Sequence, residues 1–471
     1  MTDNNKTGLR LFQCLRPRSD ATVGSTASDT VRGDPARPSL SADTQGRDFG
    51  WRLHGRSVGV LAERSFKLVP SERPAEGVLD PYWGNLNVLQ ACLQCGTCTA
   101  NCSLVGENSQ FPRRQMNLFQ LGQHERLLDD PAVWHCYNCG DCSTQCPSGA
   151  KPGRLMGAIR QMAVEHFAFP GFVARSVNRP QRWWLMFVAA AVFVLGVIAL
   201  GGAFRPAADQ VHYASMLPHL PLNVFFSALS GLAITALAIG ASRAWRTYQG
   251  EPLWQASPGM FLRALGTVIV DVLAHRRFSD CAESRPRSYA HLGMFYGFLG
   301  LAGLAGAAAL LIATGGQYPF PALHPLKIAG NAAAGLMILG TAYFVYERWA
   351  ATVRGEPSTY FDWLLLVNLL LAGITGVLCE MFRYLNVPLL AYPAYFLHLV
   401  LVCVLLVSLP YSKLAHVCYR TLALTSRQYD ALLAAEASGR MEGRLAQAGR
   451  ALQAGGSLAA TAVVCYTALG E

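Results

Sequence analysis

Two cysteine runs decide the fold of the first part of this chain: CLQCGTCTANC at residues 92–102 and CYNCGDCSTQCP at residues 136–147. Both have the spacing Cys-x2-Cys-x2-Cys-x3-Cys, and together they hold eight of the 14 cysteines. Three thiolates at this spacing can wrap a loop around one face of a [4Fe-4S] cubane, while the fourth reaches a neighbouring cluster. The spacing therefore predicts two clusters with crossed ligands: Cys92, Cys95, Cys98 and Cys146 for cluster 1, and Cys136, Cys139, Cys142 and Cys102 for cluster 2.

Zinc and disulfides are the other common uses of grouped cysteines. Structural zinc needs only four ligands, usually supplied as two pairs, and disulfides are rare in a reducing cytoplasm. One detail departs from the simplest ferredoxin pattern, because Cys102 is followed by Ser103 whereas Cys146 is followed by Pro147. We expect Cys102 to ligate its cluster with a changed potential or access.

A longer stretch around the second run carries a family resemblance. The run PRRQMNLFQLGQHERLLDDPAVWHCYNCGDCSTQCPSGA, residues 112–150, resembles the iron-sulfur C subunit of heterodisulfide reductases, in which an LG-x2-E-x2-L helix leads into W-x-C. The likeness covers roughly residues 85–170. We expect an α-helical ferredoxin-type domain at 81–170, with helices at about 112–128 and 153–166. The chain has neither the CC-G cysteine motif of the disulfide-cleaving subunit nor a GxGxxG flavin motif, so the clusters are expected to relay electrons.

The rest of the chain is unusually apolar. Hydrophobic residues make up 52%, charged residues 14%, and the mean hydropathy is +0.25, whereas roughly a quarter of a soluble domain is charged. After Trp184 come six long apolar runs, each near the ~20 residues that an α-helix needs to cross a bilayer. We therefore predict a mainly α protein, in which a six-helix transmembrane cytochrome b bundle at 183–420 follows the ferredoxin domain. The predicted spans are about 185–204, 223–242, 290–313, 327–347, 362–382 and 393–412.

The positive charges predict how the chain sits in its membrane. The net charge is +10, and fifteen Lys and Arg residues flank the spans on the cysteine side, against two or three on the other. Cytoplasmic loops carry this excess. We expect a multi-pass protein of the cytoplasmic membrane of a prokaryote, with both termini in the cytoplasm. Because the membrane accounts for the charge, nucleic acid is not an expected partner.

The two ends of the chain carry fewer signals. Residues 1–80 are polar and contain only isolated apolar residues, so we expect a disordered arm; they contain no secretory signal. Residues 421–471 are Ala-rich, and we expect a cytoplasmic tail that is helical as far as Gly455.

Three histidines lie in or beside the predicted spans. His398 and His416 are 18 residues apart, which is five turns of one helix and a rise of about 27 Å, so we expect them on one helix face near opposite sides of the bilayer. His291 begins the third span, level with His416. Two imidazoles at one depth can hold a b-type haem. The third span also has five glycines that would admit either a porphyrin or a neighbouring helix: Gly293, Gly297, Gly300, Gly303 and Gly306.

A second resemblance bears on these histidines. The run FLHLVLVCVLLVSLPYSKLAHVCYRTLALTSRQY, residues 396–429, resembles the last transmembrane helix of the nitrate reductase gamma subunit, a di-haem b quinol-oxidising protein, and the similarity extends over roughly 220–430. The resemblance implies that His291 and His416 ligate one haem b on the cytoplasmic side. It implies His398 as one ligand of a possible second haem, whose other ligand falls here on Leu301, which cannot bind iron.

The outer loop before the fourth span offers candidates for a quinone site. His324 either replaces the missing ligand of the second haem or, with Lys327, matches the region where the family places a basic quinone-site residue; an ordinary loop residue is the third interpretation. Glu380 and Arg383 lie near the same face, as a proton acceptor for quinol oxidation or as a rim ion pair.

The combination of an iron-sulfur module and a haem b module resembles the C subunit of the quinone-interacting membrane-bound oxidoreductase complex, over about residues 85–430. This resemblance implies electron transfer between the quinone pool, haem b, the clusters and flavin-containing A and B subunits, with adenylylsulfate reductase of dissimilatory sulfur metabolism as the soluble redox partner. We expect a relay with a quinone site, not a complete enzyme, and modules that fold separately. Two alternatives stay open: the membrane component of another quinone-linked heterodisulfide reductase-like complex, and a non-haem redox-sensing anchor or transporter.

Overall fold

The computed structural model describes residues 87–104, 110–201, 210–275, 285–316, 320–353 and 358–454. The predicted arm at 1–80 and the end of the tail lie outside these ranges. Within them all regular structure is helical, which confirms the predicted mainly α class. The helices are α1 Asn87–Gln90, α2 Thr97–Ala100, α3 Arg113–Gln120, α4 His124–Leu128, α5 Ala132–His135, α6 Asp141–Thr144, α7 Pro152–Phe167, α8 Gly171–Val177, α9 Trp183–Leu200, α10 Tyr213–Met216, α11 His219–Gln249, α12 Pro258–Leu273, α13 Arg285–Ala313, α14 Pro325–Val353, α15 Tyr360–Tyr384, α16 Pro388–Ser408 and α17 His416–Ala454.

Six of these helices are long and apolar enough to cross a membrane: α9 with its preceding turn, α11, α13, α14, α15 and α16. The predicted number is confirmed for the described residues, but several bounds differ. The helix α11 has 31 residues, and α16 begins at Pro388 and includes Pro393 in its interior. The sixth span therefore lies about five residues earlier than the predicted 393–412.

The prediction that His398 and His416 share one helix is wrong. The sixth span ends at Ser408, and a 3-10 turn at Lys413–Ala415 precedes α17, which begins at His416. Pro410 lies in the break. Proline has no N–H to donate and its ring collides with the preceding turn, so it favours the end of a helix. The two imidazoles therefore belong to separate helices, and the 27 Å rise along one helix does not apply.

The region before the first span, residues 87–167, is built from short helices around the cysteine loops. The single helix predicted at 112–128 is wrong, because Gly122 has a φ of 67° and separates α3 from α4. A residue at positive φ cannot continue a right-handed helix, and glycine takes this conformation without a steric penalty. The helix predicted at 153–166 is confirmed as α7.

A buried aromatic core joins this region to the membrane bundle. Trp134 of α5 stacks on Tyr419 of α17, with ring centroids 5.4 Å apart, and Phe167 contacts the same tyrosine at 5.8 Å. These three side chains are almost fully buried together. Burying apolar area of this extent is the main stabilising term of a fold. The two modules therefore share a core; that they fold separately stays a prediction.

The helices α13 and α14 approach each other closely through their glycines. A Cβ atom on Gly297 would lie 2.6 Å from the carbonyl oxygen of Ala333 and from the amide nitrogen of Met337, and one on Gly340 would collide with the carbonyl of Ala290. By contrast, Gly303 has nothing within 4 Å. Of the two interpretations left open for the glycines of the third span, close helix packing is the one observed at Gly297.

Candidate functional site

The two cysteine runs form loops of the same backbone shape. Gln94 and Asn138, each just before the second cysteine of its run, have φ of 55° and 58°. Gly96 and Gly140, each just after that cysteine, have φ of 85° and 97° and precede the short helices α2 and α6. The matched left-handed residues bring the backbone around the thiols twice in the same way, as a duplicated cluster-binding loop requires.

The thiols predicted for cluster 1 interact with one another. Burial and the neighbouring Cys92 raise the pKa of Cys98, and Cys146 contributes to this rise. Cys146 also interacts electrostatically with Cys95. Although burial opposes it, hydrogen bonds from Ser148 and from the Ala150 N–H lower the pKa of Cys146. The last cysteine of the second run thus joins the first three of the first run.

The second thiol group shows the reciprocal arrangement. Burial and the neighbouring Cys136 raise the pKa of Cys142 to about 11, and Cys102 adds to the shift. The last cysteine of the first run therefore sits among the thiols of the second. Among the described residues, no three His, Cys, Asp or Glu side chains form a group that could hold a single metal ion. The four thiolates of a cubane each bind a different iron and stand further apart than the ligands of one ion.

Comparisons with known proteins agree with this geometry. The family model of the 4Fe-4S dicluster domain matches residues 88–150. Residues 88–150 are a heterodisulfide reductase C-like dicluster domain. A protein of Archaeoglobus profundus that is described as like the C subunit of heterodisulfide reductase is 33% identical over 81 residues, which is 17% of this chain and 43% of that protein. The iron-sulfur C subunit of the CoB–CoM heterodisulfide reductase of Methanopyrus kandleri is 32% identical over 101 residues, 21% of this chain and 50% of that protein.

The dicluster domain also occurs outside this group of proteins. The iron-sulfur subunit of glycolate oxidase from Escherichia coli is 30% identical over 90 residues, which cover 18% of this chain and 22% of that protein. The chain spans half or less of the length of each of these curated relatives. No solved structure matches the chain. The similarity therefore concerns the dicluster domain, and the membrane bundle is interpreted from its own residues.

Beside the shared aromatic core, residues of both the dicluster domain and the bundle line a cavity of about 1400 Å³. Its lining includes His291, His416 and the loop of Cys136. The bundle side carries aromatic and aliphatic side chains, among them Phe295 and Phe344. Basic side chains line it as well: Lys151, Arg154, Arg160, Arg287, Arg348, Lys413, Arg420 and Arg427. The cavity thus combines an apolar wall, two imidazoles and a positive charge excess.

The local structure fixes the orientation and the tautomer of His416. Its Nδ1 lies 2.5 Å from the backbone carbonyl of Lys413. A carbonyl only accepts, so Nδ1 carries the proton and Nε2 keeps the lone pair that binds a metal. Burial lowers the pKa of His416 to about 3, which keeps the ring neutral at physiological pH. A neutral imidazole held by a second hydrogen bond is the form in which histidine ligates iron.

His291 lies in a cluster of aromatic rings at the start of α13. The ring stacks on Phe295 at 6.4 Å and meets His275 edge-on at 5.5 Å. His275 also lines the cavity, although its sequence context assigns it no role. It follows the amphipathic helix α12, which was not predicted as a separate element. The sequence gives no signal that His275 lines a cavity, because the residue lies outside the predicted spans and in no recognised motif.

Two arginines hold the loop of Cys136 at the edge of the cavity. Arg420 donates to the Cys136 carbonyl at 3.1 Å, and its guanidinium lies 4.4 Å over the ring of Tyr137. Arg160 donates to the same carbonyl at 2.5 Å and to that of Val133 at 3.0 Å. Burial and the nearby Arg160 lower the pKa of Arg420 to about 10, so the Arg420 guanidinium stays charged at neutral pH.

The remaining candidates lie away from the cavity. His398 is buried against α15, where its Nδ1 lies 3.1 Å from the Ala372 carbonyl and where Gly376 leaves room for the ring. Leu301, in the position of its usual partner, packs in an apolar cluster with Met337. The structure thus does not bring the three haem candidates to one place.

The predicted outer site is an ion pair between neighbouring helices. Lys327 Nζ lies 3.4 Å from Glu380 Oε1 and 4.6 Å over the ring of Tyr384. Asn331 donates to the same carboxylate at 3.2 Å. His324 stacks on Phe320 with ring centroids 4.6 Å apart. The ion pair expected at Glu380 is present, and its partner is Lys327.

Proposed function

We propose that this chain is the membrane electron-transfer subunit of a quinone-linked oxidoreductase. In this proposal the two clusters of the dicluster domain exchange electrons with a haem b that His291 and His416 hold. The observation that carries the proposal is the 1400 Å³ cavity. Its lining includes both imidazoles, which belong to the bundle, and the Cys136 loop, which belongs to the dicluster domain. One space therefore adjoins both an iron-sulfur ligand and two candidate iron ligands.

The chemistry of the cavity suits a haem. A porphyrin presents an apolar plane and, at one edge, two carboxylates. Phe295 and Phe344 offer apolar contact, and the basic side chains near the dicluster domain, Arg160 among them, offer charge-assisted hydrogen bonds. When bound, haem supplies a one-electron couple whose potential depends on its axial ligands and hydrogen bonds. The residues present contribute two imidazoles, an apolar wall and several basic side chains.

The cluster ligands follow the crossed thiol groups. Cluster 1 takes Cys92, Cys95, Cys98 and Cys146, and cluster 2 takes Cys136, Cys139, Cys142 and Cys102. The crossed proximity of Cys146 to Cys98 and of Cys102 to Cys142 supports this assignment. We assign Lys327, with His324 nearby, to the quinone site, because a quinone oxygen needs a hydrogen-bond donor and Lys327 Nζ lies at a junction of two helices.

The wider setting is part of the same proposal. The chain lies in the cytoplasmic membrane of a prokaryote, with the dicluster domain and both termini in the cytoplasm. Its partners are flavin-containing A and B subunits and, through them, adenylylsulfate reductase. The excess of basic residues on the dicluster side supports this orientation. The resemblance of the whole arrangement to the quinone-interacting membrane-bound oxidoreductase complex supports the choice of partners.

A second candidate has an observation of its own. The C subunits of heterodisulfide reductases are relatives of the dicluster domain, which favours a quinone-linked complex whose soluble component acts on a thiol or disulfide. Both candidates use the same relay. Purification of the native complex distinguishes them, since the soluble proteins that accompany the chain differ.

An optical and analytical experiment tests the proposal. The chain, produced with ample iron and purified in detergent, should show a Soret band, a b-type α-band on reduction, and about eight cluster irons. His416→Ala should lose the haem bands and keep the cluster irons. His212→Ala, at an exposed position outside the cavity lining, is the matched control and should keep both. A colourless wild-type protein, or an unchanged Soret band in His416→Ala, contradicts the proposal.

A further inference from the structure

The two cysteine loops share a backbone shape but not their surroundings. Leu93, between the first two cysteines of run one, is 75% exposed, and Cys95 beside it is also exposed. The corresponding positions of run two are Tyr137, which Arg420 covers, and Cys139, which is half-buried, while the loop's first cysteine, Cys136, is 8% exposed. The second-cysteine side of the first loop therefore faces solvent, although its third cysteine, Cys98, is 8% exposed, whereas the second loop packs against the bundle through Arg420.

Arg420 connects the enclosed loop to the helix that begins with His416. The two residues are four positions apart on α17, so they lie on the same helix face with a rise of about 6 Å between them. The guanidinium reaches the Cys136 carbonyl at 3.1 Å. Along α17, one helical turn thus separates the imidazole from the group that holds a cluster-ligand loop.

Arg113 approaches Gly96 of the exposed loop, but in the enclosed loop two guanidinium groups bind one carbonyl oxygen, that of Cys136. Arg160 and Arg420 both donate to this one oxygen. A fixed positive charge beside a cluster favours its reduced form, and hydrogen bonding and burial are levers by which a protein sets a cluster potential. The corresponding carbonyl in the exposed loop, that of Cys92, accepts from the neutral amide of Gln120 at 2.9 Å.

From this asymmetry we infer the order of the relay and a positioning residue within it. Cluster 2, with the Cys136 loop, is the inner centre adjoining the cavity; cluster 1, with the exposed Cys95, is the outer centre that meets a soluble one-electron carrier protein. Arg420 holds the inner loop against the His416 helix and raises the potential of cluster 2 alone. Each transfer oxidises one centre and reduces the next by one electron, with no bond made or broken. The inference rests on the two clusters of the proposed function and not on the haem.

Cluster-specific spectroscopy tests the inference. Cys95→Ser and Cys139→Ser first assign the electron paramagnetic resonance signals of the reduced full-length protein, because serine alters the signal of the cluster it ligates. Redox titration of Arg420→Gln should then show a lower midpoint potential for the signal that Cys139→Ser alters, and an unchanged midpoint for the other. Arg420→Lys keeps the charge but not the forked donors, so its midpoint for this signal should lie between those of Arg420→Gln and the wild type.

The control is Arg440→Gln, which removes a positive charge from an exposed position of the same helix, outside the cavity lining. It should leave both midpoints at their wild-type values. Equal shifts of both signals, no shift, or a shift of the Cys95 signal alone would overturn the inference. If Arg420→Gln does not retain eight irons, Arg420→Lys is titrated in its place. A lower midpoint for the Cys139 signal alone then supports the inference, and any other result overturns it. A protein without haem would contradict the proposed function, yet these cluster titrations would still confirm or refute the order.

Discussion

Asp362, in the first turn of α15, forms an ion pair with Arg348 of α14 at 3.2 Å. The same carboxylate binds Lys413. The backbone carbonyl of Lys413 accepts a hydrogen bond from Nδ1–H of His416. The side chain of Asp362 is only 14% exposed. A single carboxylate therefore pairs with two cations at the cavity wall, one of them in the turn that presents the candidate iron ligand.

Removal of this carboxylate should destabilise the protein. Asp362→Asn leaves two partly buried cations without their counter-ion, and breaking a buried pair in this way costs about 3 kcal/mol. We expect a lower midpoint of thermal unfolding in detergent. The control is Glu436→Gln, which removes an exposed i,i+4 pair with Arg440 and should change the stability by less than about 0.5 kcal/mol. Equal midpoints for the two variants would show that the carboxylate has no structural role.

The contact between α13 and α14 should not tolerate a methyl group. Gly297→Ala places a Cβ 2.6 Å from backbone atoms of α14, and such overpacking costs about 1–3 kcal/mol. Gly303→Ala, on the same helix with nothing within 4 Å, should be neutral or slightly stabilising, because alanine is the better helix former. Thermal unfolding of the two variants measures the difference. A Gly297→Ala protein as stable as Gly303→Ala would rule out the close approach.

His398 should prove structural, not a ligand of a second haem. Its Nδ1 is hydrogen-bonded to the Ala372 carbonyl, and Leu301 cannot supply an opposing ligand. His398→Ala should keep one haem per chain, assayed as the pyridine complex, and should lower the stability by about 1 kcal/mol, the typical net contribution of one hydrogen bond. A fall from two haems to one would instead establish the second haem.

The outer ion pair should affect the reaction with quinol. Lys327→Gln removes the cation that lies 3.4 Å from Glu380, and loss of a hydrogen bond to a charged group is worth about 1.5–3 kcal/mol. We expect haem reduction by a soluble quinol analogue to slow about tenfold or more, with unchanged haem and cluster spectra. Arg383→Gln, in the last turn of α15, provides the comparison. Equal rates in Lys327→Gln and wild type would exclude this site.

Cysteine spacing and hydropathy predicted the parts that depend on local sequence. The dicluster domain follows from two short runs, since the positions of three thiols in a tight loop are set by a few backbone angles. The six spans follow from apolar length, because the bilayer fixes the number of residues a helix needs. Apolar length predicts the helix ends less well, because a helix can continue beyond the hydrocarbon core of the bilayer. The helix α11, for example, continues to Gln249.

Features that depend on contacts distant in sequence were not predicted. The break near Pro410 separates His398 from His416, and periodicity cannot show whether a proline bends a helix or ends it. The stacking of Trp134 on Tyr419 joins residues 285 positions apart. His275 enters the cavity wall through the placement of α12. In each case the position is decided by packing between elements, which a single sequence does not record.

The aromatic core shared by α5, α7 and α17 has a consequence for biosynthesis. Trp134 and Phe167 leave the ribosome roughly 250 residues before Tyr419. At ordinary translation speeds this interval is on the order of 10–50 s, during which six spans must enter the membrane while an apolar face of the nascent cysteine region waits uncovered. During this interval α17 is not yet packed against the loop of Cys136, so the cysteines of that loop remain accessible for cluster insertion.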